Sequence, residues 1–157
     1  MNPHSLLSQK KTADMLEISA GTLRDWRRRD LLDGLGEEAG GRWHYEFCEA
    51  LAIAVALKVV DRAVFLEDAV FVGRIIACMF IARKFDRRFE GEVYKDFIIF
   101  TGDYSEGGKL SVQLADSLAE IAPHTFIKAT AAIVYLPDLF DLLPEPFKAG
   151  VCDLEDI

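Results

Sequence analysis

The spacing of apolar positions changes several times along the chain, and each change predicts an element. Ala13, Met15 and Leu16 recur at helical spacing. Thr12 before them reads as an N-cap, and Asp14 falls in the first turn, where the helix dipole favours a carboxylate. This helix is expected to stop near Glu17 or Ile18. Ser19 can cap a second helix that runs from Gly21 to Arg29. Leu23 and Trp26 stand three apart on it, share one face, and should pack on the first helix. Arg24, Asp25 and Arg28 are then left outward, while Arg27 projects beside Leu23, between the core edge and the outward face. Leu31 and Leu32 anchor the exit. Asp33 to Gly41 is rich in glycine and reads as a turn region. Arg42-Trp43-His44-Tyr45 alternates like a short strand, and pairing it with Leu31 to Asp33 would make a two-stranded wing.

Glu46 to Val60 is apolar on nearly every side, so it predicts a buried helix. A break at Asp61 to Phe65 precedes a further helix over Leu66 to Lys84. The charged run from Arg83 to Gly91 marks a candidate boundary. Beyond it, Phe97 to Thr101 is β-branched and aromatic and predicts a buried strand, followed by a turn over Gly102 to Gly108. Leu114 to Ala122 reads as a short amphipathic helix with Asp116 and Glu120 outward. Ala131 to Leu136 reads as a second apolar strand. A short helix, Asp138 to Leu143, follows Pro137, and Pro144 and Pro146 end it. Two strands separated by a helix suggest a small β-α-β unit with parallel strands. The fold class expected is α+β, with three parts: a two-helix module with a wing over 1–68, a connecting helix over 69–90, and a small acidic α/β domain over 91–157.

Charge changes this picture only when it is divided. The chain has 157 residues and a formal net charge of -8. Residues 1–44 hold seven basic and seven acidic side chains, whereas residues 45–157 hold eleven basic and nineteen acidic ones. The acidity therefore lies wholly in the second part, and local clustering decides nucleic-acid binding. The arginines at 27, 28 and 29 fit a solvated helix end as well as a DNA contact. Their place in a capped two-helix unit favours the contact. Cys48, Cys78 and Cys152 are far apart and odd in number, with no Cys-x-x-Cys and no Cys/His ligand spacing. Reduced thiols in a reducing compartment are expected, with no disulfide framework and no metal site. Residues 1–9 lack the basic start and apolar run of a secretory signal. Ala69 to Ala82 contains Arg74 and is too short to span a bilayer. A cytoplasmic location with no membrane partner is expected.

No arrangement of Ser/His/Asp or Cys/His supports catalysis, so no enzyme activity and no cofactor are expected. His4 and His124 have no evident catalytic partner. Asp103 to Gly108 matches neither a P-loop nor an EF-hand spacing and reads as a turn. Asp138 and Asp141 read as a solvated helix face, and Trp43 is better suited to packing on the third helix than to stacking on a sugar.

Thr12-Ala13, Ile18-Ser19, Thr22-Leu23-Arg24, Trp26, Leu31-Leu32, and Gly41-Arg42 with Tyr45 occur in an order that resembles the winged helix-turn-helix of the MerR superfamily. The resemblance covers residues 8–68. It implies a sequence-specific transcriptional regulator that binds double-stranded DNA as a homodimer on a near-palindromic site. Carried over by position, Ser19, Thr22, Arg24 and Arg28 would meet the major groove, and Arg42 and Tyr45 would touch the DNA backbone from the wing. Trp26 matches a position that is partly core and partly phosphate-facing. Arg27 and His44 complete the set of candidate DNA contacts. Asp30 stands where the pattern has a helix-ending Gly, and Glu46 where it has a Ser or Thr cap. The acidic pair Glu37-Glu38 would repel phosphate if it lay close. Two other readings stand beside this one. In the first, a phage-type or recombination accessory protein uses the helix-turn-helix for nucleoprotein or protein assembly. In the second, the Phe97 to Leu143 unit is the sensor of a small-molecule effector.

Overall fold

The structure, a computed structural model, describes residues 2–60, 66–84, 96–102, 110–115 and 130–154. Its elements follow in the order β1 (Leu6–Ser8), α1 (Gln9–Met15), α2 (Ala20–Arg28), β2 (Glu37–Ala39), β3 (Arg42–Glu46), α3 (Phe47–Val60), α4 (Leu66–Lys84), β4 (Phe97–Gly102), β5 (Leu110–Ala115), β6 (Thr130–Tyr135), α5 (Leu136–Asp141) and α6 (Glu145–Cys152). The protein is thus a mixed α+β chain with two three-stranded antiparallel sheets. It divides into two units, residues 1–87 with 142–157, and residues 88–141. That division differs from the expected one. The last helix belongs with the first unit, and α4, which covers the described part of the expected connecting helix, is packed on α3.

In the first unit α1 begins one turn earlier than the sequence pattern suggests. Ser8 is its N-cap, with Oγ accepting from the Lys11 amide, while Thr12 is buried inside the helix and Asp14 lies near its end. Glu17 leaves the helix with a φ of 58°. Ser19 caps α2 as expected. The sheet has the order β1-β3-β2. Residues 37–39 pair with 42–44, not residues 31–33, because Gly40 and Gly41 form a two-residue turn between Ala39 and Arg42. Both glycines have positive φ, 59° and 72°, the combination a type I′ hairpin turn requires. On its other edge β3 pairs with β1, an element the sequence pattern had not suggested, placing Leu7 opposite Tyr45. Both are buried, and with Leu23, Leu32 and Leu35 they belong to the core of this unit.

The third helix is buried along most of its length, as its all-round apolar sequence requires. Its first amides find partners outside the helix: Phe47 N donates to Ser5 O and Cys48 N to Pro3 O, both at 3.1 Å. Glu49 replaces the missing Ser or Thr cap. Its Oε2 accepts from the Glu46 amide at 2.7 Å and its Oε1 from the Gly36 amide at 2.9 Å, which is the reaching-back half of a capping box. α3 and α4 approach at backbone distance at Gly73, where a Cβ would lie 2.2 Å from the Ala52 carbonyl oxygen. The short helix ends at Asp141, before Pro144, and a further helix, α6, follows it in sequence. Pro146 sits in the first turn of α6, where its missing N–H costs nothing, and Phe147 packs its ring 6.0 Å from that of Phe47.

The second unit corrects the expectation of parallel strands. Its sheet has the order β5-β4-β6, and both pairings are antiparallel. Residues 110–115 form a strand where a helix was expected to start at Leu114. Leu110, Val112 and Leu114 alternate with Ser111 and Gln113, a period of two that sets strand geometry. With every neighbour antiparallel, no crossover helix is required. Ile98 and Val134 face each other across β4 and β6 in the buried layer, and Phe97 stacks 5.0 Å from Tyr135, its direct partner. The α5 helix follows β6 without a loop, its first amide donating to Asp96 O at 2.8 Å. The expected break at 61–65, the connector over 85–91, the turn at 103–108, the rest of the 114–122 helix, and His124 lie outside the described residues.

Candidate nucleic-acid interface

Leu23 is fully buried on α2, and the opposite side of the helix carries Gly21, Arg24 and Arg28, all exposed. These positions are three and four residues apart, so they form one stripe. Ser19 fixes where that stripe begins. Its Oγ accepts from the Thr22 amide at 2.9 Å and lies 2.8 Å from Thr22 Oγ1, so the two hydroxyls close the first turn together. Arg28 is ion-paired with Asp25 on the surface, and Arg29 lies 3.8 Å from the same carboxylate. Such exposed pairs contribute little stability, so a phosphate can displace them at small cost. Trp26 is half-buried. Asp30 follows the helix with a φ of 57°, the left-handed stop that glycine usually provides.

Arg27 and Tyr45 depart from their expected roles. The Arg27 guanidinium turns inward: Nη1 donates to Leu32 O at 2.8 Å, and Nη2 donates to Leu35 O and, at 3.4 Å, to the Tyr45 hydroxyl. Its Cζ lies 3.9 Å over the Trp43 ring and 5.5 Å from the Tyr45 ring. Arg27 therefore ties α2 to the loop at 32–35 and to β3. Arg74, from α4, donates to Gly34 O at 2.7 Å and holds the same loop from its other side. Tyr45 has none of its surface exposed, so it reaches no phosphate without unfolding β3. It lies on the same strand face as Trp43, and that face meets the core.

The opposite face of β3 carries Arg42, which is exposed beside the hairpin turn, and His44, which is half-buried. In register, Glu37 stands opposite His44, and Glu38 opposite Trp43. Both glutamates are exposed. The hairpin thus presents one arginine and two carboxylates at its outer end. Lys10 and Lys11, exposed on α1, were not among the expected contacts.

The amino-terminal segment brings together three groups that sequence spacing left unconnected. His4 Nδ1 donates to Glu46 Oε2 at 2.8 Å, and the Cys48 thiol donates to the same oxygen at 3.4 Å. The three ligand atoms lie within 4.8 Å of one another. This corrects the expectation that no Cys/His cluster exists. The hydrogen bond from His4 draws the Glu46 carboxyl below its usual range, outweighing partial burial. Burial, followed by the Glu46 hydrogen bond, pushes the Cys48 thiol up to about 12. Cys78 and Cys152 are exposed free thiols.

No helix among the described residues is long and apolar enough to cross a membrane. No family model matches the chain, and no curated protein matches it in sequence.

Proposed function

We propose that the first unit is a winged helix-turn-helix of MerR-like type and that the chain is a sequence-specific DNA-binding transcriptional regulator acting as a homodimer. The observation that carries this reading is the pair Arg24 and Arg28, both exposed one turn apart on a helix whose other side is fixed by Leu23 and Arg27. A helix of that width fits the major groove, and arginine is suited to bidentate pairing with guanine edges or phosphate. Ser19, Thr22 and the α2 amino terminus would meet a phosphate, where free amides and the helix dipole favour an anion. Arg42 and His44 would approach the DNA backbone from the hairpin, with Trp26 at the margin of the contact. Arg27 and Tyr45 drop out of the contact set and support its shape.

The test is fluorescence anisotropy with DNA selected from a random duplex library, at matched salt. Arg24→Ala with Arg28→Ala is expected to abolish binding while circular dichroism and the thermal midpoint stay unchanged. Unchanged affinity would refute the assignment. A second reading rests on Glu37 and Glu38: an acidic hairpin suits protein assembly better than phosphate. It predicts no duplex binding even at low salt and capture of a protein partner through the hairpin.

A further inference from the structure

We propose that His4, Glu46 and Cys48 form a divalent-cation site, of the zinc-binding type, that fastens the amino-terminal segment to the junction of β3 and α3. The donor set is one imidazole nitrogen, one carboxylate oxygen and one thiolate sulfur, the three side-chain types that bind Zn2+. Metal–ligand lengths of about 2.0–2.3 Å place tetrahedral ligand atoms roughly 3.3–3.7 Å apart. The separations of 2.8 Å and 3.4 Å about Glu46 Oε2, with all three atoms within 4.8 Å, lie around that range.

The backbone is already set for this. Pro3 O and Ser5 O accept from Cys48 N and Phe47 N at 3.1 Å, and these two bonds bracket His4 and hold it opposite the other ligands. A prebuilt site loses less entropy on binding a cation than one assembled from a free chain. Glu49 does not complete the set, because both its oxygens are occupied by the Gly36 and Glu46 amides. The His4 side chain is 63% exposed, so the fourth position opens to water. Binding replaces the two hydrogens now directed at Glu46 Oε2: the Cys48 proton leaves to solvent, and the Nδ1 hydrogen also leaves to solvent, so that the neutral ring keeps its one hydrogen on Nε2 and ligates through Nδ1. The site is independent of the DNA reading and lies on different residues.

The test uses the full chain carrying Cys78→Ser and Cys152→Ser, which leaves Cys48 as its one thiol. Co2+ serves as the probe, since it gives a thiolate charge-transfer band and tetrahedral visible bands. The expected result is a one-to-one titration, with the bands removed by added Zn2+. Cys48→Ser should abolish the charge-transfer band. His4→Ala, a surface change that leaves the core intact, should weaken Co2+ binding by about tenfold or more, since even groups behind the ligands contribute that much. Absence of the charge-transfer band at millimolar Co2+ overturns the proposal, as does a His4→Ala protein that binds Co2+ as tightly as its parent.

Discussion

Replacing Arg27 with alanine tests whether this arginine holds the first unit together or reads DNA. The substitution removes two guanidinium hydrogen bonds to Leu32 O and Leu35 O and the stack over Trp43. Hydrogen bonds from a charged donor contribute about 1.5–3 kcal/mol each, and a partly exposed cation–π contact about 0.5–1 kcal/mol. Arg27 is only half-buried, so water replaces part of the loss. A net cost of about 2–4 kcal/mol is expected, set against a total stability of about 5–15 kcal/mol. Urea unfolding reads it as a midpoint lowered by roughly 1–2 M, taking a slope near 2 kcal/mol/M. Lysine should not rescue the loss, because one ammonium cannot span two carbonyls and lie flat on an indole. A midpoint unchanged for Arg27→Ala, together with weakened DNA binding, would refute the structural role and return Arg27 to the contact set.

Three further outcomes follow from other contacts. Gly73→Ala gains about 1 kcal/mol of helix propensity but drives a methyl into the Ala52 carbonyl, an overpacking cost of about 3 kcal/mol, so a net loss near 2 kcal/mol should appear in urea unfolding. A more stable alanine variant would mean that α3 and α4 do not approach this closely. Asp30→Gly relieves a left-handed non-glycine residue and should raise the thermal midpoint by a few degrees, about 0.5–1 kcal/mol. A lowered midpoint would contradict it. Glu46, whose carboxyl the His4 hydrogen bond holds below its ordinary value, contributes stability that is present above that ordinary value and lost as pH falls through the folded pKa. The stability difference between the parent and Glu46→Gln should therefore shrink as pH falls through and below the ordinary carboxylate range. A constant difference would contradict the pairing with His4.

The elements legible in the sequence were those whose local pattern is self-sufficient. The unbroken apolar run of α3, the long α4 and the β-branched β4 read directly, as did α2, because Ser19 and Leu23 specify a cap and a buried stripe within five residues. The hairpin register was harder. Gly40-Gly41 is a two-residue turn signal, but it lies within a longer run of glycines that also permits a wide loop. Strand β5 was obscured because Leu114 and Ala115 fit either period until the alternation from Leu110 is weighed. The arginines divide for a reason that projection alone leaves open. Arg27 sits at the edge of the Leu23 face, and only the return of β3 brings Trp43 and the loop carbonyls to meet it. Tyr45 could not be assigned inward without β1, whose three residues place Leu7 against it. The cluster of His4, Glu46 and Cys48 spans more than forty residues of sequence, so only the fold joins them.

That division of arginines also limits how the proposed DNA contact can depend on salt. In the stretch that forms α1, α2 and the hairpin, the exposed cations are Lys10, Lys11, Arg24, Arg28, Arg29 and Arg42, and Arg27 is internal. One chain therefore has at most six cations to offer phosphate there. With about 0.9 counterions released per neutralised phosphate, this stretch contributes at most about -5.4 to the slope of log affinity against log salt for a single copy. Glu37 and Glu38 beside Arg42 reduce it further. Two copies on a palindromic site can approach twice that value. A slope between about -6 and -10 in anisotropy titrations would thus require cations beyond one copy of this stretch, as a second chain on a palindromic site supplies. A slope shallower than about -3 would leave most of these cations off the phosphates. Arg24→Ala should flatten the slope by about one unit if it meets phosphate, and leave it unchanged while relaxing sequence preference if it reads a base edge. An Arg24→Ala protein that keeps both the slope and the preference would remove α2 from the groove and with it the proposed mode of binding.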